Sequence, residues 1–165
     1  MMYMPNPTAA KLEALRSLLR ARTTLTDRLE TALRSDDLPP VAWYDVLCAL
    51  DEASGEGLRP RDLGYAVALT PSGLTRLLDR MEAAGLVERK ACPTDRRGYG
   101  VLLTASGRQT HKLMKPVYLR AVTEAFAELL TDAEARELSE VLDRVSASAC
   151  SAAGEEPPAP AVKAA

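Results

Sequence analysis

The chain is poor in the residues that build metal centres, disulfide frameworks and catalytic dyads. Its 165 residues include one histidine, His111, and three cysteines, Cys48, Cys92 and Cys150. An odd number of widely spaced thiols, with no CxxC pair, fits neither a disulfide scaffold nor a metal knuckle, and a reducing compartment is the simpler reading. A zinc site would have too few imidazole and thiolate ligands, and no HExxH run is present. The sequence offers no nucleophile–base pair and no phosphate-cradling glycine loop, so no catalytic residue, metal or cofactor is assigned. It also has no run of about eighteen uncharged apolar residues, and the N-terminal MMYMPNPTAAKLEALR lacks the apolar stretch of a secretion signal. A cytoplasmic protein is expected. Only seven aromatics, one Trp, five Tyr and one Phe, stand among 47% apolar residues. A core of Leu, Ala and Val follows, which favours packed helices over a sandwich.

Net charge is also small, −2, and taken globally it argues against a polyanion partner. Its distribution argues the reverse. Residues 59–112 carry ten basic and five acidic side chains, so that segment is +5 and the remainder −7. A basic middle lies between acidic ends.

The length suits one domain, residues 1–150, followed by a tail, 151–165, too poor in large apolar groups to offset its ordering entropy and therefore expected to be disordered. Leucines at 12, 15, 19, 25, 29 and 33 recur at helical spacing, and Thr8 is a candidate N-cap, so residues 8–34 read as a helix. VAWYDVLCAL, Val41 to Leu50, is apolar nearly all round, as in a buried helix. Pro60 opens a short helix over 61–67. Thr70-Pro71 is the clearest helix start, an N-cap hydroxyl followed by a proline at the first helical position, and Gly85 closes that helix after Ala84. The period then changes. LVERK and GVLLT read as two short strands of a hairpin whose loop is Cys92 to Gly98. Thr104 begins a long helix toward Leu130, which Pro116 should kink or interrupt. Thr131-Asp132-Ala133-Glu134 has capping-box spacing, and Leu138, Val141, Leu142, Val145 and Ala149 form one stripe of a last helix.

On the helix that starts at Thr70, a 100° rotation per residue groups Leu74, Leu77, Leu78 and Met81 on one side. Ser72, Thr75, Arg76, Asp79 and Arg80 fall on the other. Hydroxyls near a helix N-terminus with arginines further along suit a helix in a DNA major groove, where Arg donates two bonds to guanine. An ordinary solvated surface helix would share the pattern. The succession of helix, short helix, turn, polar-faced helix and arginine-tipped hairpin favours the first reading, a winged helix-turn-helix. In the hairpin tip an arginine fits a narrow minor groove, and Asp95 can pair with Arg97 and hold it in position. A solvated turn is the alternative for Asp95-Arg96-Arg97.

The run from Leu58 to Arg108 resembles the MarR (multiple antibiotic resistance regulator) family of bacterial transcription factors. The resemblance is carried by Thr70-Pro71-Ser72, Leu74-Thr75-Arg76, Leu78-Asp79-Arg80, the stretch EAAGLV at 82–87, Asp95-Arg96-Arg97 and Leu103-Thr104-Ala105-Ser106-Gly107. It implies a mainly α fold, a winged helix-turn-helix with a small β-hairpin wing. It further implies a homodimer whose N- and C-terminal helices, 8–34 and 104–150, form a dimerisation region beside a DNA-binding lobe at 39–103. The implied partner is a pseudo-palindromic double-stranded operator. Ser72, Thr75, Arg76 and Arg80 would be its recognition-helix contacts, Arg97 the minor-groove arginine, Asp95 its orienting partner and Arg96 a phosphate contact. The chain departs from the family in carrying Ala68 where a turn glycine is usual.

The resemblance also implies a repressor released by a small, phenolic or aromatic effector. Trp43 and Tyr44 are candidate walls of its pocket, and equally candidate core residues. Cys48, inside VLCAL, reads as a small hydrophobe. Cys92 lies near Arg89, Lys90, Arg96 and Arg97, which could stabilise a thiolate, so a redox-responsive regulator is one alternative and a packing role for this thiol another. A winged helix used only for protein association is a third reading.

Overall fold

Four helices of this chain open on a threonine hydroxyl that accepts a hydrogen bond from an otherwise orphaned amide. Thr8 takes Lys11 N at 3.4 Å, Thr70 takes Gly73 N at 3.2 Å, Thr104 takes Gly107 N at 2.9 Å and Thr131 takes Glu134 N at 3.3 Å. At Thr131 the box is reciprocal, because Glu134 Oε2 accepts from the Thr131 amide at 2.8 Å. The structure is a computed structural model that describes residues 6–53, 57–67, 69–92 and 95–152, the side chains of 92, 95–98 and 149–152 lying outside that description. In chain order its elements are α1 (Ala9–Ser35), α2 (Val41–Glu52), α3 (Pro60–Ala66), α4 (Pro71–Ala83), β1 (Val87–Cys92), β2 (Asp95–Leu103), α5 (Ala105–Ala125), a 3-10 turn (Ala127–Leu129) and α6 (Asp132–Ala152).

A mainly helical winged helix-turn-helix results, as the sequence predicted. Helices α2, α3 and α4 enclose Val46, Leu47, Leu50, Leu63, Leu74, Leu77, Leu78 and Met81, and the hairpin closes the cluster with Val87, Val101 and Leu103. Leu33 from the end of α1 and Met114 and Val117 from α5 complete the core. The hairpin is antiparallel, with Val87 opposite Leu103 and Ala91 opposite Tyr99. Leu58 adds a third rung by exchanging two backbone hydrogen bonds with Val101, at 3.0 and 2.8 Å.

The wing connects to α5 through a tight junction. Thr104 Oγ1 donates toward the carbonyls of Gly85, at 2.7 Å, and Leu86, at 3.1 Å. Gly107 lies so close to the Leu86 carbonyl that a Cβ would collide with it. Gly85, at φ +70°, supplies the left-handed turn that ends α4.

Several boundaries differ from the sequence reading. Of the stretch Cys92 to Gly98, read as a loop, the described residues 92 and 95–98 are strand, and pairing continues to Cys92 opposite Asp95 across a register shift after Ala91. Helix α5 stops at Ala125 rather than Leu130, where Phe126 leaves helical geometry at φ −141°. It also runs through Pro116 as one helix. That residue and Lys112, whose carbonyl loses its amide partner, are both exposed, so water can satisfy the carbonyl. At the C-terminus α6 reaches Ala152, so residues 151 and 152 of the tail expected to be disordered, 151–165, are helical instead; residues 153–165, like Ala68, lie outside the described residues.

Candidate nucleic-acid interface

The candidate surface is built on α4. Its apolar side is fully committed: Leu74, Leu77, Leu78 and Met81 are all buried. Burial of each such side chain contributes roughly 1.5–3 kcal/mol, so turning the helix about its axis would be costly. Ser72, Thr75, Arg76, Asp79 and Arg80 are consequently exposed, all five on the opposite side, as the helical period predicted. In the turn before the helix the Leu69 amide donates to Gly64 O at 3.1 Å, and Gly64 lies against the Leu74 side chain, which seats α3 on α4. The Thr75 hydroxyl donates to Pro71 O at 3.0 Å, so its lone pairs remain available as acceptors. Among the described residues neither Arg76 nor Arg80 has an ion-pair partner.

The hairpin brings backbone positions 95–98 onto β2, beyond the paired Cys92. Asp95, Arg96 and Arg97, and the thiol of Cys92, have side chains outside the described residues. Their proposed roles therefore rest on sequence.

Sequence reasoning missed a polar clamp between the wing and α4. Arg89, on β1, donates to Glu82 Oε2 at 2.5 Å and to Asp79 Oδ1 at 2.6 Å, while its backbone amide donates to Glu82 Oε1 at 3.2 Å. Its guanidinium also lies 5.5 Å from the centre of the Tyr99 ring on β2. Burial works against the charge, but the hydrogen bond to Asp79 and the charge of Glu82 outweigh it and hold the guanidinium above its ordinary range. The signal available in the sequence was an acidic pair three apart on α4 followed by an arginine on the next strand.

Tyr44 and Trp43 are placed differently from each other. Tyr44 is 5% exposed and stacks on Tyr118 with ring centres 4.0 Å apart, with His111 at 5.4 Å on a tilted plane. Trp43 is partly buried against the same core. A cleft of about 490 Å³ lies elsewhere, lined by Leu50, Asp51, Gly57, Glu88, Leu102, Leu103 and Arg108, and neither aromatic lines it.

His111 is buried, with Nδ1 3.4 Å from Asp51 Oδ2. Burial holds its pKa below the ordinary imidazole value against the pull of Asp51. For Cys48, whose Sγ lies 3.5 Å from Glu52 Oε1, burial and the neighbouring carboxylate push the thiol up to about 11. It stays protonated near neutral pH, which suits the predicted role of a small hydrophobe rather than a reactive thiolate. No helix among the described residues is long and apolar enough to cross a membrane.

Comparison with known proteins points to one family. A family model described as MarR family matches residues 36–98. The multiple antibiotic resistance protein MarR of Escherichia coli is 36% identical over 77 residues, covering 44% of this chain and 52% of that protein. The chain spans about half the length of the curated relatives it matches. Among solved structures, a MarR family transcriptional regulator from Streptomyces coelicolor in complex with DNA is 30% identical, with 88% of this chain and 91% of that chain covered and a TM-score of 0.80. CouR from Rhodococcus jostii, bound to p-coumaroyl-CoA, is 27% identical, with 84% and 95% covered and a TM-score of 0.72.

Proposed function

The chain belongs to the MarR family of transcriptional regulators, and on that premise we propose that it binds DNA sequence-specifically as a homodimer and acts as a repressor in the cytoplasm. One observation carries the reading: α4 buries its whole apolar side and presents Ser72, Thr75, Arg76 and Arg80 together on the other. In this reading the N-terminal amides and hydroxyls of α4 meet phosphates or base edges, and Arg76 and Arg80 reach further along the major groove. Arg97 enters the minor groove, held by Asp95, and Arg96 meets a phosphate. The Streptomyces coelicolor relative, solved with DNA, supports the partner assignment.

Residues 39–103 serve as the DNA-binding lobe, and α1 with residues 104–150 as the dimerisation region. Exposed Leu12, Leu15, Leu19, Leu138, Val141 and Val145 support the second assignment, since such stripes seek cover. DNA binding is relieved by a small aromatic ligand, in keeping with the acyl-CoA held by CouR. Because Tyr44 already packs on Tyr118 and His111, a ligand reaching it would have to repack that stack. The reading assigns the chain no catalytic step.

Selection of bound sequences from a random duplex pool, at two salt concentrations, tests the proposal. The expected result is an inverted repeat with half-sites about one helical turn apart and affinity that falls steeply with salt. Arg76→Ala and Arg97→Ala should each weaken binding by about 1–3 kcal/mol. A flat salt response with no enriched sequence, from folded protein, would favour the protein-association reading instead.

A further inference from the structure

The Arg89 cluster joins three elements that the DNA-binding reading requires to act together. Its carboxylates come from α4, its guanidinium from β1 and its aromatic face from β2. Asp79 has a second choice of partner, because Arg76 lies three residues before it on the same exposed side of the helix, a spacing at which opposite charges pair. Asp79 and Glu82 are themselves three apart and repel each other without a cation between them. One forked guanidinium, 23% exposed, answers both carboxylates at once, which a single ammonium could not do with the same geometry. The arrangement has two consequences: the wing has one preferred angle on α4, and Asp79 turns Oδ1 to Arg89 and, among the described residues, makes no ion pair with Arg76.

We propose that Arg89 is a positioning residue for DNA binding, clamping the wing on α4 through Asp79 and Glu82 and leaving Arg76 free to face the duplex. The inference rests on the DNA-binding reading above. It sharpens that reading by making an arginine that faces two carboxylates, rather than the duplex, necessary for specificity.

The decisive variant removes the carboxylates and keeps Arg89. Simple charge counting says that Asp79→Asn with Glu82→Gln, which deletes two negative charges beside the DNA face, should tighten binding to any duplex. The clamp predicts a split: affinity for the duplex enriched by selection falls about tenfold or more, whereas affinity for a random duplex of equal length is unchanged or rises. Arg89→Gln should lose about tenfold on the enriched duplex, and Arg89→Lys should recover part of that loss because charge returns without the fork. Circular dichroism melting of each variant separates a changed interface from a lost fold, and if Arg89→Gln does not fold, the carboxylate pair and Arg89→Lys still decide the matter. Tighter binding of both duplexes by the Asp79→Asn, Glu82→Gln protein, or enriched-duplex affinity unchanged in folded Arg89→Gln or Arg89→Lys, would overturn the proposal while leaving the DNA-binding reading intact. If the unmutated protein does not distinguish the enriched from the random duplex, the DNA-binding reading fails and takes the clamp with it.

Discussion

The winged lobe and the terminal helices solve the problem of apolar surface in opposite ways. Between Val41 and Leu103 the large aliphatic side chains turn inward: Leu47, Leu63, Leu78, Met81 and Val101 are all at most 1% exposed. In α6 none of the described side chains is buried, and Leu138, Val141 and Val145 are 36%, 46% and 54% exposed. Helix α1 is divided, with Leu33 at 0% in the core and Leu15 and Leu19 above 50%. The lobe buries its apolar side chains in a core that Leu33, Met114 and Val117 complete, whereas among the described residues α6 and the first half of α1 carry amphipathic stripes that stay exposed. Both regions have helices opened by a threonine cap, α4 in the lobe and α1, α5 and α6 outside it. Local signals therefore start helices in both, and only tertiary burial separates them.

The largest effect that would sharpen this contrast is expected in the lobe. Leu78→Ala should cost about 2–5 kcal/mol in urea denaturation, and the loss should not depend on protein concentration. A loss that vanished at high concentration would place Leu78 in an interface instead. Next come the terminal stripes. Leu138→Asp with Val141→Asp should shift the chain to monomer in analytical ultracentrifugation, each side chain forfeiting roughly 1.5–3 kcal/mol of burial against a second chain, while the lobe stays folded by near-UV circular dichroism. Unchanged sedimentation would break the comparison.

Asp45, on α2, titrates at the seam with α1. Burial, with Glu30 nearby, pushes its carboxyl from 3.8 up to about 6. A raised acid pKa means that the fold disfavours the ionised form, so this residue costs nothing below about pH 4, costs progressively more between 4 and 6, and levels off above. Asp45→Asn should therefore stabilise the protein at pH 7 by roughly 1–3 kcal/mol, with the gain fading in melts taken below pH 4. A gain of equal size at both ends of the range would point to something other than the charge. The smallest effect belongs to a cap: Thr70→Ala should cost about 1 kcal/mol, because Gly73 N loses its acceptor.

What the sequence made legible follows the same division between local and tertiary causes. Thr8, Thr70, Thr104 and Thr131 announce their helices because a cap is a three-residue event, and the two sides of α4 follow from its period. The hairpin was read too short because Cys92 to Gly98, rich in polar and turn-forming residues, looks like a loop although its backbone pairs across to Asp95. The end of α5 at Ala125 went unseen because AFAELL contains neither glycine nor proline to mark it. The Arg89 clamp is the clearest case of hidden tertiary chemistry. Its partners lie seven and ten residues back, and their meeting depends on the angle at which the hairpin returns over α4. The stacking of Tyr44 on Tyr118 joins α2 to α5 in the same nonlocal way.

The central claim is that two lobes, joined by the terminal helices, read one duplex. Stoichiometry on the selected duplex, measured by ultracentrifugation with the half-site spacing intact or lengthened by about five base pairs, tests it most directly. The account predicts two chains per duplex at the native spacing and a large loss of affinity when the half-sites are rotated to opposite faces of the helix. One chain per duplex, with binding indifferent to the spacing, would contradict it.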